Sequence, residues 1–553
     1  MYTRLEPIDQ RRVNTIYDAL SLEDRIAQTF NVNLSQCSPA DAQRLYERCR
    51  FGAGFFAYRS ANETRAVMEA IGSDSLPPLG CADLVNGAGS RLAGATLFPW
   101  QMAVGAADSE ELAEKMGLAT AVEGREAGLH WTFGPIVDLS ISKDNSMMHT
   151  RTFGVDPGHV LRMSQAFIRG VQAERRMAAT AKHFPGDGVD DRDSHVCTSV
   201  NPLSRDEWFD LYGRVWKPVV RDAWCVMSGH IALPWIDPAK DYLGPAPATL
   251  SSAIQIELLR NELGFEGLVV SDAIPMIGFS AFAPYRRRIA GNIESGSDMI
   301  LWPDPERDVE EMKRALDEGL LTEARLETAV KNVLALKLWL GVLDRTDAAP
   351  AEHGPETFQR WADEIGERSV CVVRNERRML PVRLEPGAKV ATVTLSMGSD
   401  TRGYVKELTV VDDELRARGY EVEHLANPDR NALAACAARS DAVFINVHVM
   451  PVYGTTRFAG SAVAALWNSF WHEHAAVVFT SFGDPYKLYE MPYAPNFVMT
   501  FSNTPSSQRA AVKVWLGEIE PQGKVPVTLP GFFDITVASS PGDKIVRFQT
   551  EMS

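Results

Sequence analysis

Short, nearly continuous apolar runs alternate with helix-length amphipathic segments over residues 1–343. The runs Phe51–Tyr58, Leu76–Ala82, His130–Leu139, Ala178–His183, Trp224–Ile231, Gly267–Asp272 and Ser297–Trp302 predict strands buried on both faces. Between them lie helical patterns. After Asp108, an Asp108/Glu111 capping box is predicted to start a helix with Leu112, Met116, Ala119 and Val122 on one face. Ser251–Leu263 reads as a helix capped by Ser251 or Ser252 and stopped by Gly264. Apolar strands separated by helices imply a parallel sheet, and enough of them to close a ring predict an α/β fold of (β/α)8 TIM-barrel type.

A polar, proline-containing break at Asp344–Glu356 follows, and a second alternating set begins beyond it. Its expected strands are Lys389–Leu395, Ala442–Val449, Ala475–Phe482 and Asn496–Phe501, with a helix at Asp412–Arg418. The predicted organisation is a barrel at 1–343, a linker at 344–362 and a smaller open α/β sandwich at 363–553. The second part has no glycine-rich phosphate loop, so no nucleotide cofactor is expected.

Composition narrows the partners. A formal charge of -16 argues against nucleic acid or an anionic membrane surface, both of which need a basic face. No apolar run reaches membrane-spanning length, and the first residues lack the apolar core of a signal peptide, so a cytoplasmic protein is expected. Seven scattered cysteines without a Cys-x-x-Cys pair read as reduced thiols, with neither a disulfide framework nor a zinc cluster.

In a barrel, catalytic groups stand where strands end at the carboxyl face. Several predicted strands end on polar residues: Asp83, Lys182-His183, His230 and Asp272. Asp272 alone fits a helix cap and a catalytic group equally well, and His230 alone reads more simply as a core histidine. Their recurrence at one topological position is what capping does not explain. The segment Lys182–Gly188 and the nearby Asp193-Ser194-His195 add a glycine-hinged loop. From spacing alone Asp193–His195 is a polar turn. As chemistry, it is an imidazole oriented by a carboxylate, suited to proton transfer near neutrality. Displacement at an anomeric carbon needs a carboxylate nucleophile and a proton donor, roles that Asp272 and His195 would fill. Asp83, Arg151, Lys182 and His183 would grip sugar hydroxyls, with His230 added to that set by position.

These motifs resemble family 3 glycoside hydrolases, and within them the β-N-acetylhexosaminidase (NagZ-like) branch, in its two-domain form. Lys182–Gly188 and Asp193–His195 match that branch's Lys-His-Phe-Pro-Gly-His-Gly and Asp-Ser/Thr-His segments. Arg151–Pro157, Met227–Ile231, Pro247–Ser251 and Leu259–Asp272 match further segments in order, and Ser369–Asn375 with Leu380-Pro381 looks like the family's second domain. The resemblance implies a retaining exo-glycosidase, an N-acetylglucosaminidase above all, that uses no cofactor or metal. It implies Asp272 as nucleophile, His195 as acid/base with Asp193 as its partner, and Asp83, Arg91, Arg151, Lys182 and His183 on the sugar.

Three departures bear on substrate choice: Asp187 replaces the family histidine, Asp83–Ala88 lacks a usual glutamate and arginine, and Asp144–Thr150 is unusual before Arg151. A β-glucosidase or another family 3 exo-glycosidase is an alternative. So is a phosphorylase, because a neutral imidazole does not repel incoming phosphate as a carboxylate base would. From other classes, a metal-dependent hydrolase on His183, His195, His230 and Asp272 lacks an early His-x-His pair, and a non-catalytic sugar-binding protein leaves the catalytic trio unexplained. The sequence is silent on oligomeric state.

Overall fold

The structure is a computed structural model that describes residues 1–239, 243–346, 350–397, 408–449, 465–467 and 476–529. Residues 347–349 of the expected break, Ala475 of an expected strand and 530–553 of the expected second domain lie outside these. The chain divides into two compact units. The first comprises Met1–Thr96, Ala113–Leu139 and Ser164–Pro355, and the second Leu97–Leu112, Ser140–Met163 and everything from Glu356 on. Two stretches of the expected barrel segment, 97–112 and 140–163, thus pack within the second unit. The helix Pro355–Ser369 begins inside the expected linker.

The first unit holds a closed barrel of β1 (Phe30–Asn33), β2 (Ala53–Phe55), β3 (Leu79–Ala82), β4 (Trp131–Thr132), β5 (Ala178–Phe184), β6 (Cys225–Ser228), β7 (Leu268–Ala273) and β8 (Met299–Leu301). Each pairs in parallel with its sequence neighbours, and β1 closes the ring on β8. Burial on both faces explains the apolar runs; all seven residues of β5 are buried. β1 has no such run. Phe30-Asn31-Val32-Asn33 is short and alternates with amides, so the pattern hid it. The run at His130–Leu139 contracts to two strand residues because Pro135 brings no N–H to the ladder. Past it the chain touches β5 once more, at Ile136 beside Lys182.

Two expected caps resolve differently. Asp108 sits in the left-handed region (φ 47°), and its carboxylate bonds Lys524 and lies 3.4 Å from His159. Ser109 caps the following helix instead, accepting from the Leu112 N–H at 3.4 Å. Ser251 accepts from the Ile254 N–H at 3.3 Å, and Gly264 ends that segment at φ 77°. The segment itself, Ala253–Glu262, is wound as a π-helix.

In the second unit six strands form one sheet: β9 (Cys371–Asn375), β10 (Lys389–Met397), β11 (Glu421–Ala426), β12 (Ala442–Val449), β13 (Val477–Ser481) and β14 (Asn496–Met499). Their order is β9-β14-β13-β12-β10-β11, parallel except for β9 against β14. Alternation splits each strand between two cores. Val443, Ile445 and Val447 of β12 join Val393, Phe479 and Phe497 on one face. Ala442 and Phe444 join Val390, Val478 and Val498 on the other, where Trp515 stacks on Phe444 at 4.4 Å. β11 is an edge strand whose glutamates at 421 and 423 keep it polar, which is why its pattern reads as loop.

A buried ion cluster holds the start of β8. Asp298 accepts from Arg260 at 2.8 Å, from Arg325 at 2.9 Å and from the Val269 N–H at 2.9 Å. Burial pushes its carboxyl up, but the two guanidinium groups and the amide outweigh this and hold it below its ordinary value. A depressed carboxyl stabilises the fold above its unfolded value of 3.8, and that contribution is lost as pH falls through the lower folded value. Asp298→Asn is therefore expected to cost about 3–5 kcal/mol at neutral pH, since it leaves two half-buried guanidinium groups without their shared carboxylate. In urea unfolding followed by tryptophan fluorescence, the gap to the parent protein should narrow below pH 4. A gap that does not change with pH would refute the ionic account.

Candidate active site

Every barrel residue singled out from the sequence lies at or just past the carboxyl end of a strand. Asp83 follows β3, and Lys182 and His183 close β5. Asp193 and His195 lie on the loop after β5, His230 follows β6, and Asp272 is near the end of β7. The Lys182 ammonium, buried in the barrel, donates to Asp83 at 2.6 Å. Arg91 reaches within 4.0 Å of the same carboxylate, and its guanidinium lies 5.1 Å over the Tyr58 ring. Asp83 keeps 29% of its side chain exposed between these cations, as a group that meets a hydroxyl needs.

Asp138, which the sequence reading passed over, organises the centre. It lies at the end of the His130–Leu139 run and is fully buried. One carboxylate oxygen accepts from the His183 N–H at 3.0 Å and meets His183 Nδ1 at 2.8 Å. The other accepts from the Asp187 N–H at 2.8 Å. Its position matched that of the other strand-end carboxylates, but it stood in an apolar stretch with no polar neighbour to draw attention. Beyond it the loop is clamped from below: Trp208 Nε1 donates to the Pro185 carbonyl at 2.9 Å and the Tyr212 hydroxyl donates to that of Asp187. Gly186 (φ 122°) lies against Tyr212, so close that a Cβ there would stand 2.2 Å from the ring. Asp187 is buried, and its carboxylate accepts from the Gly188 N–H at 2.6 Å.

The Asp193–His195 pair has the geometry of an oriented imidazole. His195 Nδ1 lies 2.7 Å from Asp193 Oδ1, which also accepts the His195 N–H at 2.9 Å. Asp193 is buried while the imidazole is 28% exposed. The loop docks on the segment after Asp272. Ile277 N–H donates to the His195 carbonyl at 3.1 Å, Gly278 N–H to that of Ser194 at 3.2 Å, and Thr198 Oγ1 to that of Gly278 at 2.8 Å.

Asp272 accepts from the Ala273 N–H at 2.7 Å. Burial raises its carboxyl, but His230, His183, the Ala273 amide and His195 draw it below its ordinary value, so it is ionised at neutral pH. His230 does not stand where a sugar contact was expected. It is fully buried, with Nε2 3.0 Å from the Ala273 carbonyl and Nδ1 3.0 Å from Thr249 Oγ1. The carbonyl demands a proton on Nε2, so Nδ1 accepts from the hydroxyl, and burial favours this neutral form. His230 is a positioning residue under Asp272, and with both nitrogens engaged it is a poor metal ligand. Arg151 is not grouped with these residues: it belongs to the second unit, where it donates to the Met147 carbonyl at 2.9 Å. Among the described residues no three His, Cys, Asp or Glu side chains cluster to hold a metal ion, and no helix is long and apolar enough to cross a membrane.

Fold and site together define a barrel enzyme of the O-glycosyl hydrolase class. The model of the glycosyl hydrolase family 3 N-terminal domain matches residues 56–336, and the chain belongs to that family. A protein of Cellulomonas fimi named β-N-acetylglucosaminidase/β-glucosidase is 29% identical over 93% of this chain and 95% of its own. A β-hexosaminidase of Stenotrophomonas maltophilia is 33% identical over 46% of this chain and 71% of its own. Among solved structures, the β-glucoside phosphorylase BglX bound to 2FGlc superposes with a TM-score of 0.86 at 27% identity, covering 95% of this chain and 97% of its own. A family 3 β-N-acetylglucosaminidase from Paenibacillus sp. str. FPU-7 superposes with a TM-score of 0.80 at 25% identity, over 92% and 99%.

Gly278 tests the docking of the His195 loop. A Cβ there would stand 2.6 Å from the Ser194 carbonyl oxygen and 2.7 Å from that of Cys197. Gly278→Ala must push the loop off by the better part of an ångström, which for a catalytic group costs about 10²-fold in rate. We expect kcat on an aryl β-glycoside to fall by that order while circular dichroism stays native. Unchanged kcat would mean that this contact does not set the loop.

Proposed function

We propose that the protein is a retaining exo-β-glycosidase that removes terminal β-linked N-acetylglucosamine through a glycosyl-aspartate on Asp272. The observation that carries this reading is the Asp193-oriented imidazole of His195, docked by main-chain bonds on the segment that follows Asp272. In the first step the ionised Asp272 attacks the anomeric carbon. The bond to the leaving oxygen breaks, and His195 gives that oxygen its Nε2 proton. In the second step His195 takes a proton from water, which attacks the anomeric carbon on the face the first leaving group left and displaces the aspartate opposite, so two inversions retain the configuration. Asp193 accepts from Nδ1–H throughout and stabilises the imidazolium. Asp83, Lys182, Arg91 and His183 hold the sugar. The names of the Cellulomonas and Stenotrophomonas relatives support the amino-sugar preference, and the double name of the first keeps β-glucosides as a secondary substrate.

Phosphorolysis is the second reading. It is favoured by the near-complete overlap with the β-glucoside phosphorylase, and by a proton-transfer group that carries no negative charge when it acts as base. Phosphate would then take the place of water in the second step and leave a sugar 1-phosphate.

The test is a panel of aryl β-glycosides (N-acetylglucosaminide, glucoside, xyloside, galactoside) assayed with and without phosphate. We expect preference for the N-acetylglucosaminide, loss of turnover to background in Asp272→Ala, and a fall of about 10²–10⁴-fold in His195→Ala. Preference for glucoside together with an active His195→Ala enzyme would overturn the assignment. Free sugar as sole product in phosphate buffer eliminates phosphorolysis.

A further inference from the structure

We propose that the opposite, amino-terminal end of the barrel carries a second binding site, for a small molecule bearing phosphate or carboxylate groups. A cavity of about 740 Å³ opens there, lined by Arg65, Arg125, Arg176, Arg345 and His130. His130 immediately precedes β4, and Arg176 lies two residues before β5, so the cavity faces away from the strand ends that carry Asp83, Lys182 and Asp272. Its volume falls in the range of small-molecule sites.

The charge of this cavity runs against that of the molecule. The chain carries 72 acidic against 56 basic residues, yet among the described residues four arginines and two carboxylates, Glu69 and Glu126, line this space. Two of the arginines are held in ways that leave their charge uncancelled. Arg345 donates to the Ser73 and Asp74 carbonyls at 2.6 and 3.0 Å, and Arg65 Nε donates to the Glu126 carbonyl at 2.6 Å. Among the described residues neither meets a carboxylate. Both are exposed at the mouth, whereas Arg176 is buried, fixed by Glu174 and the Pro350 carbonyl at 3.1 Å. His130 accepts the Gly80 N–H on Nδ1 at 3.1 Å, so its proton stays on Nε2 and it adds a neutral donor. A concave wall of tethered guanidinium groups with apolar Val122, Val342 and Pro77 between them suits an oxyanion on an organic body. A packing defect of a barrel floor would instead be lined by the apolar residues that close such floors.

The probes are inorganic phosphate and citrate, titrated into the full chain by calorimetry and by thermal shift at fixed ionic strength. Phosphate against citrate separates a phosphate source from a polycarboxylate one. We expect saturable binding of at least one, with Kd weakened about tenfold or more in Arg125→Gln and in Arg345→Gln. Because Arg345 and Arg65 are exposed, Arg345→Gln and Arg65→Gln keep the test informative if Arg125→Gln does not fold. Binding absent for both probes overturns the proposal, as does binding indifferent to these substitutions. Binding abolished by Lys182→Met overturns it too, since the anion would then sit at the sugar site.

Discussion

The site depends on one buried carboxylate that touches no expected substrate position. Asp138 is fully buried, and its two oxygens take the His183 main-chain N–H, His183 Nδ1 and the Asp187 N–H. A carboxylate is tolerated there because its oxygens meet two main-chain N–H groups and an imidazole nitrogen. It ties the segment that follows β4 to the end of β5, at the place where the chain leaves the sheet for the loop that carries Asp193 and His195. Without that tie, the imidazole of His183 would lose its orientation and the loop its starting direction. The loop's other end is fixed by main-chain bonds from Ile277 and Gly278, so both approaches to His195 are pinned by backbone groups rather than by adaptable side chains.

How much of this the sequence disclosed follows from how each feature is encoded. Seven barrel strands were legible because burial on both faces writes a run of apolar residues. β1 was not, because Asn31 and Asn33 interrupt so short a strand. Asp83, Lys182, His183 and Asp272 were legible as polar residues at the ends of such runs, and their shared topological position gave them weight. Asp138 obeyed the same rule but followed a run broken by Pro135, where strand and loop could not be told apart. His230 obeyed it too, yet points into the protein: strand-end position fixes where a residue starts, not which way its side chain faces. Arg151 shows a third limit. A motif can fix its neighbours in sequence while the fold assigns its stretch to another unit, and no periodicity marks that crossing.

The departures at Asp187 and Asp83–Ala88 look different in three dimensions. Asp187 stands where the family carries a histidine. Its carboxylate accepts the N–H of the next residue and its carbonyl accepts the Tyr212 hydroxyl, so it helps to shape the loop. Asn86 is likewise buried rather than displayed, and Gly87 beside it adopts φ 91°. Both stretches lie in turns of the backbone, at Gly186 (φ 122°) and Gly87 (φ 91°). Any change of substrate they bring would come through the placement of Arg91 and the loop as much as through a direct contact.

Three histidines surround Asp272, and what distinguishes them is the partner of the second ring nitrogen. On His230 the Ala273 carbonyl demands a proton on Nε2, and the Thr249 hydroxyl donates to Nδ1 of the neutral ring. Burial pushes in the same direction, so His230 is a neutral strut. His183 and His195 each set Nδ1 against a carboxylate, which directs Nε2 away from that partner. Of these two, His195 is the more exposed, with 28% of its side chain accessible against 8% for His183, and it sits on the loop rather than on β5. Burial and partner type thus separate three rings that identity and spacing alone do not: a partly exposed one on a loop, a buried one against Asp138 and a buried one between a carbonyl and a hydroxyl.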